Sequence, residues 1–402
     1  MDQVLTQTKF DILRTRLNPT ELPISEASKE KAEDLLAKSD FPTRKNEAWK
    51  YTNVNGLNKL LLDGESSGFT KPHNITKSAD KVYIVNGQVS KNKSDVPGIK
   101  TSWNSLSEMQ TEDPFDALNL LYCTAALELT FEDADDKIIE LVFENTLDTA
   151  IFPRIFIQCK KNAKGTVILN FQGAEKNASF INASTYVDVE ENANLSIHKI
   201  QKNGAETFDL QREYVNQAAN SVFTINTFPL SGRMTRNDLT INVNGSNCET
   251  FMNGAYTLKG KSHCDNHTTV DHKVAHCYSK ELYKGVIDDR ATNVFNGKVF
   301  VRKDAQKINA FQSNANILLS ETGTVNSKPE LEIYADDVKC SHGSTTGQLD
   351  DEAVFYLRSR GLSEKSAKEL LVKAFLGEVL EEVENEEVSS YVEKQIEEHF
   401  SA

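Results

Sequence analysis

The chain has 402 residues, with 45 Lys and Arg against 59 Asp and Glu, for a net charge of -14. That balance excludes broad nucleic-acid binding, which needs clustered cations for phosphate contacts, while the length allows two or three domains or one elongated one. No run approaches the roughly 18–20 apolar residues of a membrane-spanning helix, and Met1-Asp2-Gln3-Val4 is not a basic segment leading into an apolar core, so a cytoplasmic protein without membrane or nucleic-acid partners is expected.

Residues 1–105 read as a mainly helical N-terminal domain. Phe10, Leu13 and Leu17 lie three and four apart, as one helix face requires. Ser25 is placed to cap a second helix through Ala32, Leu35 and Leu36, which must stop before Phe41-Pro42. The segment from Val82 to Gly87 reads as a strand running into a tight turn.

From about 125 to 345 the hydrophobic period becomes two, and residues 106–346 are read as one β domain. Val167, Leu169 and Phe171 alternate with Ile168 and Asn170, and Ile181, Ala183, Thr185, Val187 and Val189 follow the same rule. Leu239, Ile241 and Val243, then Leu331, Ile333 and Ala335, repeat it. No helical pattern interrupts the stretch, so a βαβ fold is excluded. The Asn-Gly pairs at Asn203, Asn244, Asn253 and Asn296 fit the hairpins of an antiparallel sandwich or barrel. The same residues fit the left-handed corners of a parallel β-solenoid, and periodicity leaves both architectures open.

Residues 347–402 turn helical again. Asp350 is placed to cap a short helix through Phe355 and Leu357 that Gly361 stops. Ser363 starts a second helix, whose apolar stripe is expected at Ala367, Leu370, Leu371, Ala374 and Phe375. The acidic tail from Glu378 to Glu398 carries Val388, Val392 and Ile396 four apart, the pattern of a solvated helix with a narrow docking stripe.

Six cysteines are scattered without a CxxC pair, so reduced, mostly buried thiols are expected. His263, Cys264, His267, His272, His276 and Cys277 are all metal-competent, but on a strand the neighbours His263 and Cys264 face opposite ways. Hydrogen-bonded or stacked histidines on the strands are the expected arrangement. Cys340-Ser341-His342 differs, because residues 340 and 342 share a face if the strand from Leu331 continues through Val338. That pair fits co-ligation of a thiophilic ion or an iron–sulfur cluster, a nucleophile–base pair, or a buried thiol beside a surface histidine. A phosphate-binding glycine loop and a GxSxG element are both missing from the sequence, and the adjacent Asp288 and Asp289 diverge too much for a glycosidase pair.

The segment from Lys328 to Gly343, through Gly347–Asp350 into Phe355–Gly361, resembles the signature of SufD proteins within the SufB/SufD family of iron–sulfur cluster assembly scaffolds. Ser231–Asp238, Phe295–Gly297, Asn314–Ser320 and the N-terminal Arg44–Thr52 are similar to further motifs of that family. The resemblance implies a right-handed parallel β-helix flanked by N-terminal and C-terminal α-helical domains. It implies a non-catalytic scaffold that pairs through its β-helix with a paralogous SufB subunit and holds the SufC ABC-type ATPase on its C-terminal helices. His342, with Cys340 as a secondary neighbour, would serve a transient iron–sulfur cluster at the SufB contact. Phe355, Leu371 and Phe375 would form the SufC docking stripe. The isolated chain is expected to carry no cofactor and to be able to form a homodimer, and a flavin in the full complex is left open. The competing class is a self-contained metal-binding or cysteine-dependent hydrolytic solenoid.

Overall fold

The computed structural model describes residues 7–64, 72–90, 99–100, 112–176 and 178–401; residues 1–4 and the boundary between 105 and 106 lie outside them. Its centre is a parallel β-solenoid of about 8 turns. Lys164, Asn194, Val222, Glu249, Tyr278, Asn309 and Lys339 occupy equivalent positions on successive strands of one sheet. Phe208, Met234, His263, Thr292 and Thr324 do so in the facing sheet. Consecutive strands therefore alternate between sheets, and each internal strand pairs with those one turn before and one turn after it.

The corners explain how the chain turns without hairpins. Asn162, Asn192, Asn220 and Asn247 all adopt left-handed backbone with φ of 57–63°, a conformation Asn tolerates better than most residues. Asn192 Nδ2 donates to Asn162 Oδ1 at 3.1 Å, and Asn247 Nδ2 to Asn220 Oδ1 at 3.0 Å, so the corners form a stacked ladder. A small buried residue follows each one: Ala163, Ala193, Ser221 and Cys248.

The Asn-Gly pairs behave differently from a hairpin reading. Asn253-Gly254 and Asn296-Gly297 lie inside the strands Glu249–Leu258 and Thr292–Val301. A Cβ on Gly254 would sit 2.4 Å from the Tyr283 ring of the next turn, and one on Gly297 would sit 2.9 Å from Glu281 Oε2 and Gln312 Nε2. These glycines make room for large interior side chains; they do not reverse the chain.

Each outer face of the solenoid is covered by helices. On one side, Lys9–Arg14, Glu26–Lys38 and Pro114–Leu121 bring Phe10, Leu36, Phe115 and Leu118, joined by Phe41 just beyond the second helix, onto Phe180, Phe208, Leu210 and Met234. Ser25 caps the second of these helices, as its position suggested. Val82–Val85 lies in the strand Asp80–Val85, which pairs parallel with Lys137–Asn145 and turns back at Asn86-Gly87. On the other side, Glu364–Leu380 and Glu386–Ser401 place Val372, Leu376, Val379, Val388, Val392 and Ile396 on Ile168, Ile200, Phe228, Leu282 and Val286. The acidic tail helix is thus docked on the solenoid through its valine and isoleucine stripe.

The stripe expected on the preceding helix is rotated. Ala367 is buried, but Val372, Leu376 and Val379 complete the buried face, whereas Leu370 is 47% exposed. Leu371 and Phe375 are half-buried at the margin. This helix is apolar on more than one side, so spacing alone could not select the side that meets the sheet.

Interior packing makes the solenoid stiff. Phe143 and Phe171 stack on adjacent turns with centroids 4.3 Å apart, both fully buried. Phe171→Ala is expected to cost about 3–5 kcal/mol, read as a lowered urea midpoint with an unchanged slope.

Candidate functional site

Among the described residues the solenoid ends on two edge strands, Thr324–Ile333 in one sheet and Lys339–Gln348 in the other. Each bonds a neighbour on one edge only, because no further turn follows. The strand carrying Leu331 stops at Ile333, which corrects the expectation that it runs on through Val338; Cys340 belongs to the next strand. Cys340 and His342 nevertheless share a side of that strand, stacked on Ala310 and Gln312, about 6.6 Å apart along the backbone.

Stacking register shows what stands behind His342. One inward row runs Val167, Ile197, Ile225, Met252, Glu281, Gln312, His342 through seven successive turns. The first four are buried and apolar, and the last three change the row to polar. Glu281 accepts from Thr268 Oγ1 at 2.6 Å and from Gln312 Nε2 at 3.0 Å. Its complete burial pushes its carboxyl up to about 7, despite those two bonds. Gln312 is 4% exposed and its Oε1 has no hydrogen-bond partner. His342 itself is exposed, since the row ends there. Neither Glu281 nor Gln312 was singled out from the sequence. A charged residue at the parity of Met252 becomes meaningful only once the register is known.

Cys340 is half-buried against the interior cluster, and burial raises its thiol. A raised thiol is protonated at neutral pH, the opposite of what a cysteine nucleophile requires. As a ligand the pair offers one sulfur and one imidazole. Among the described residues, no group of three or more His, Cys, Asp or Glu side chains could hold one ion.

The histidine-rich stretch does other work. On the strand His263–His272, Cys264, Asn266, Thr268, Val270 and His272 point inward and are buried. His263 and His267 point outward to the N-terminal segment. His263 Nε2 lies 2.9 Å from Thr52 Oγ1, Thr52 donates to Asp265, and His267 Nε2 lies 2.9 Å from Asp265. Arg236 joins them, binding Asp265 at 2.6 Å, Asp238 at 2.7 Å and the Ala48 carbonyl at 2.8 Å, with its guanidinium 3.8 Å from the Trp49 ring centroid. The Arg236 guanidinium, beside Asp265, holds that carboxyl well below its usual range against the opposing effect of burial. His272 hydrogen-bonds Ser279 at 3.0 Å, and desolvation lowers its imidazole to about 4. These residues clamp Arg44–Thr52 to Ser231–Asp238, so two sequence motifs meet in space as a structural lock.

At the C-terminal end, Asp350 caps the helix Asp351–Ser359 and Gly361, at φ 98°, ends it. Phe355 is 72% exposed and Tyr356 is 56% exposed. Phe375 lies under the Lys284 ammonium, 4.6 Å from ring centroid to Nζ. No helix among the described residues is long and apolar enough to cross a membrane.

A parallel β-solenoid whose open end presents a Cys/His pair, with helices on both outer faces, defines the class of protein. Residues 142–375 match the family model described as the SUF system iron–sulfur cluster assembly SufBD core domain. The chain is 29% identical over 377 residues to the iron–sulfur cluster assembly protein SufD of Escherichia coli, covering 89% of each chain. It is also 29% identical over 392 residues to a SufBD-family assembly protein of Synechocystis, covering 88% of this chain and 86% of that one. The chain belongs to the SufBD family, and its role lies in iron–sulfur cluster assembly.

The raised Glu281 carboxyl has a pH signature. Between about 4.5 and about 7 the unfolded side chain has lost its proton while the folded one keeps it, so stability falls as pH rises through that window. The fall attributable to this group is on the order of 3 kcal/mol. Urea midpoints at acidic and mildly alkaline pH should show Glu281→Gln gaining on the parent as pH increases.

Proposed function

We propose that this chain is a non-catalytic scaffold subunit that pairs through the open end of its solenoid with a paralogous SufB-type solenoid and carries a SufC-type ATPase on its C-terminal helices. The observation that carries the proposal is the final turn, open on its outer edge, with Cys340 and His342 on one side. Two donors are too few for a cluster, so the remaining ligands come from the partner surface that covers this end. The iron–sulfur cluster is cargo, built transiently at that contact. His342 is the principal ligand, because it is exposed and Cys340 is held protonated and half-buried. The imidazole is placed to act once a partner solenoid excludes water around it.

The link to ATP is mechanical. The strand bearing His342 ends at Gln348 and leads through the Asp350 cap into Asp351–Ser359. The next two helices rest on the same sheet through Val372, Leu376 and Val392. A nucleotide-dependent change in how an ATPase grips Phe355, Leu371 and Phe375 would reach the end strand through one short connection. Such a shift requires the ATPase to bind the two conformations with different affinity.

The direct test is reconstitution with His342→Ala. Because His342 is exposed, the variant should fold and assemble normally, while cluster formation followed by visible absorbance falls at least about tenfold; unchanged assembly of the cluster removes His342 from the mechanism. Phe355→Glu separates docking from folding. Its thermal midpoint should match the parent, and its affinity for the ATPase in calorimetry should drop by about tenfold or more, roughly 1.4 kcal/mol. The open edges of the end strands also predict self-association of the isolated chain, which light scattering would detect and which an added SufB-type partner should abolish.

A further inference from the structure

A groove of about 810 Å³ lies between the N-terminal segment and one edge of the solenoid, away from the Cys340–His342 end strand. Its floor is a single register row, Phe208, Met234, His263, Thr292 and Thr324, one residue from each of five successive turns. Four inter-strand steps make that floor about 19 Å long. Its far wall is built from Arg44, Lys50, Tyr51, Asn53 and Gly56, which the Trp49–Arg236 lock holds in place.

The charge of this groove departs from that of the chain. The protein has a surplus of 14 acidic residues, yet the lining contains Arg44, Lys50, Arg233 and Lys261 and no Asp or Glu. Of the carboxylates on the flanking segments, Glu47 pairs with Lys328 at 2.9 Å, whereas Glu206 pairs with Arg233 and offsets that one cation, which leaves Arg44, Lys50 and Lys261 to set the charge of the groove. Arg44 and Lys261 are exposed. Lys50 sits 5.3 Å from the ring centroid of Tyr51, itself 43% exposed. Such an arrangement attracts anions, and the attraction is strongest at low salt.

We propose that this groove binds an acidic peptide segment of a partner protein in extended conformation. Three features favour a peptide. The floor length matches about six residues of extended chain at 3.3 Å each. Lys261 stands on a solenoid turn at one side while Arg44 and Lys50 belong to the opposite wall, so these cations flank the groove from both sides. The rim of the groove is open to solvent, with Arg44, Lys50, Tyr51 and Lys261 all exposed, whereas sites for compact ligands enclose most of the ligand surface. The chain's own acidic tail is not the occupant, because Val388, Val392 and Ile396 fix it on the other face of the solenoid.

The test uses the full chain and a fluorescein-labelled octapeptide containing six glutamates, with fluorescence anisotropy at about 50 mM salt. The glutamate peptide should bind, its glutamine analogue should not, and about 300 mM salt should weaken binding several-fold. Arg44→Glu/Lys50→Glu/Lys261→Glu should lose at least about tenfold in affinity, whereas Lys303→Glu, on an exposed turn outside the groove lining, should bind like the parent. Lys261→Glu alone gives a milder version of the test, and circular dichroism verifies the fold of each variant. Equal binding of the glutamine peptide, or equal loss in Lys303→Glu, overturns the proposal. So does tighter competition by metal-free ATP or a thymidine octanucleotide, which would assign the groove to phosphates.

Discussion

Every feature of this protein depends on in-register stacking of successive turns, each strand bonded to the equivalent strand one turn away. Because register is shared over ten residues on most turns, a side chain is always stacked on its equivalents, and rows become the unit of organisation. An apolar row is a continuous core column; a row that changes character along the axis changes the chemistry of the interior at a defined depth. The row from Val167 to His342 does this, apolar for four turns and polar for the last three.

Most polar groups inside such a column find partners there, since water is excluded. Lys199 and Glu213 meet across the interior at 2.6 Å, each 1% exposed. Asp209 accepts from Gln201, Asn203 and Gln211, and burial still raises its carboxyl to about 6. Buried pairs of this kind add little net stability, but removing one member leaves a stranded charge, so they tie a turn to its own facing strand and resist slippage. The interior is therefore filled at the start by Val, Ile, Leu and Phe, and towards the end increasingly by hydrogen bonds.

Stacking also dictates where partners can bind. Helices cover both outer faces, and the internal strands are paired on both edges. Besides the groove beside the N-terminal segment, two surfaces stay uncovered among the described residues: the last turn, whose two strands each have one edge without a neighbour, and the exposed ridge of the helix Asp351–Ser359. The two surfaces are joined by a connector of two residues, Leu349 and Asp350.

Much of this was legible from residues alone. Period-two alternation marked the strands from Ala125 onward, Ser25, Asp350 and Ser363 marked helix starts, and the Lys328–Gly343 motif pointed to the family. Those signals are local: they depend on neighbours within a few positions, which sequence displays directly. The corner asparagines, the space-making roles of Gly254 and Gly297, the rotated face of Glu364–Leu380 and the alignment of Glu281 and Gln312 behind His342 were not legible. Each depends on which residue one turn away, some 30 positions along the chain, stacks beside it, and turn length varies from corner to corner. The sequence by itself determined that strands, caps and a cysteine–histidine pair exist. Only tertiary stacking decided that this pair stands on the uncovered end of a polar column, because register between turns is set by packing across the whole solenoid.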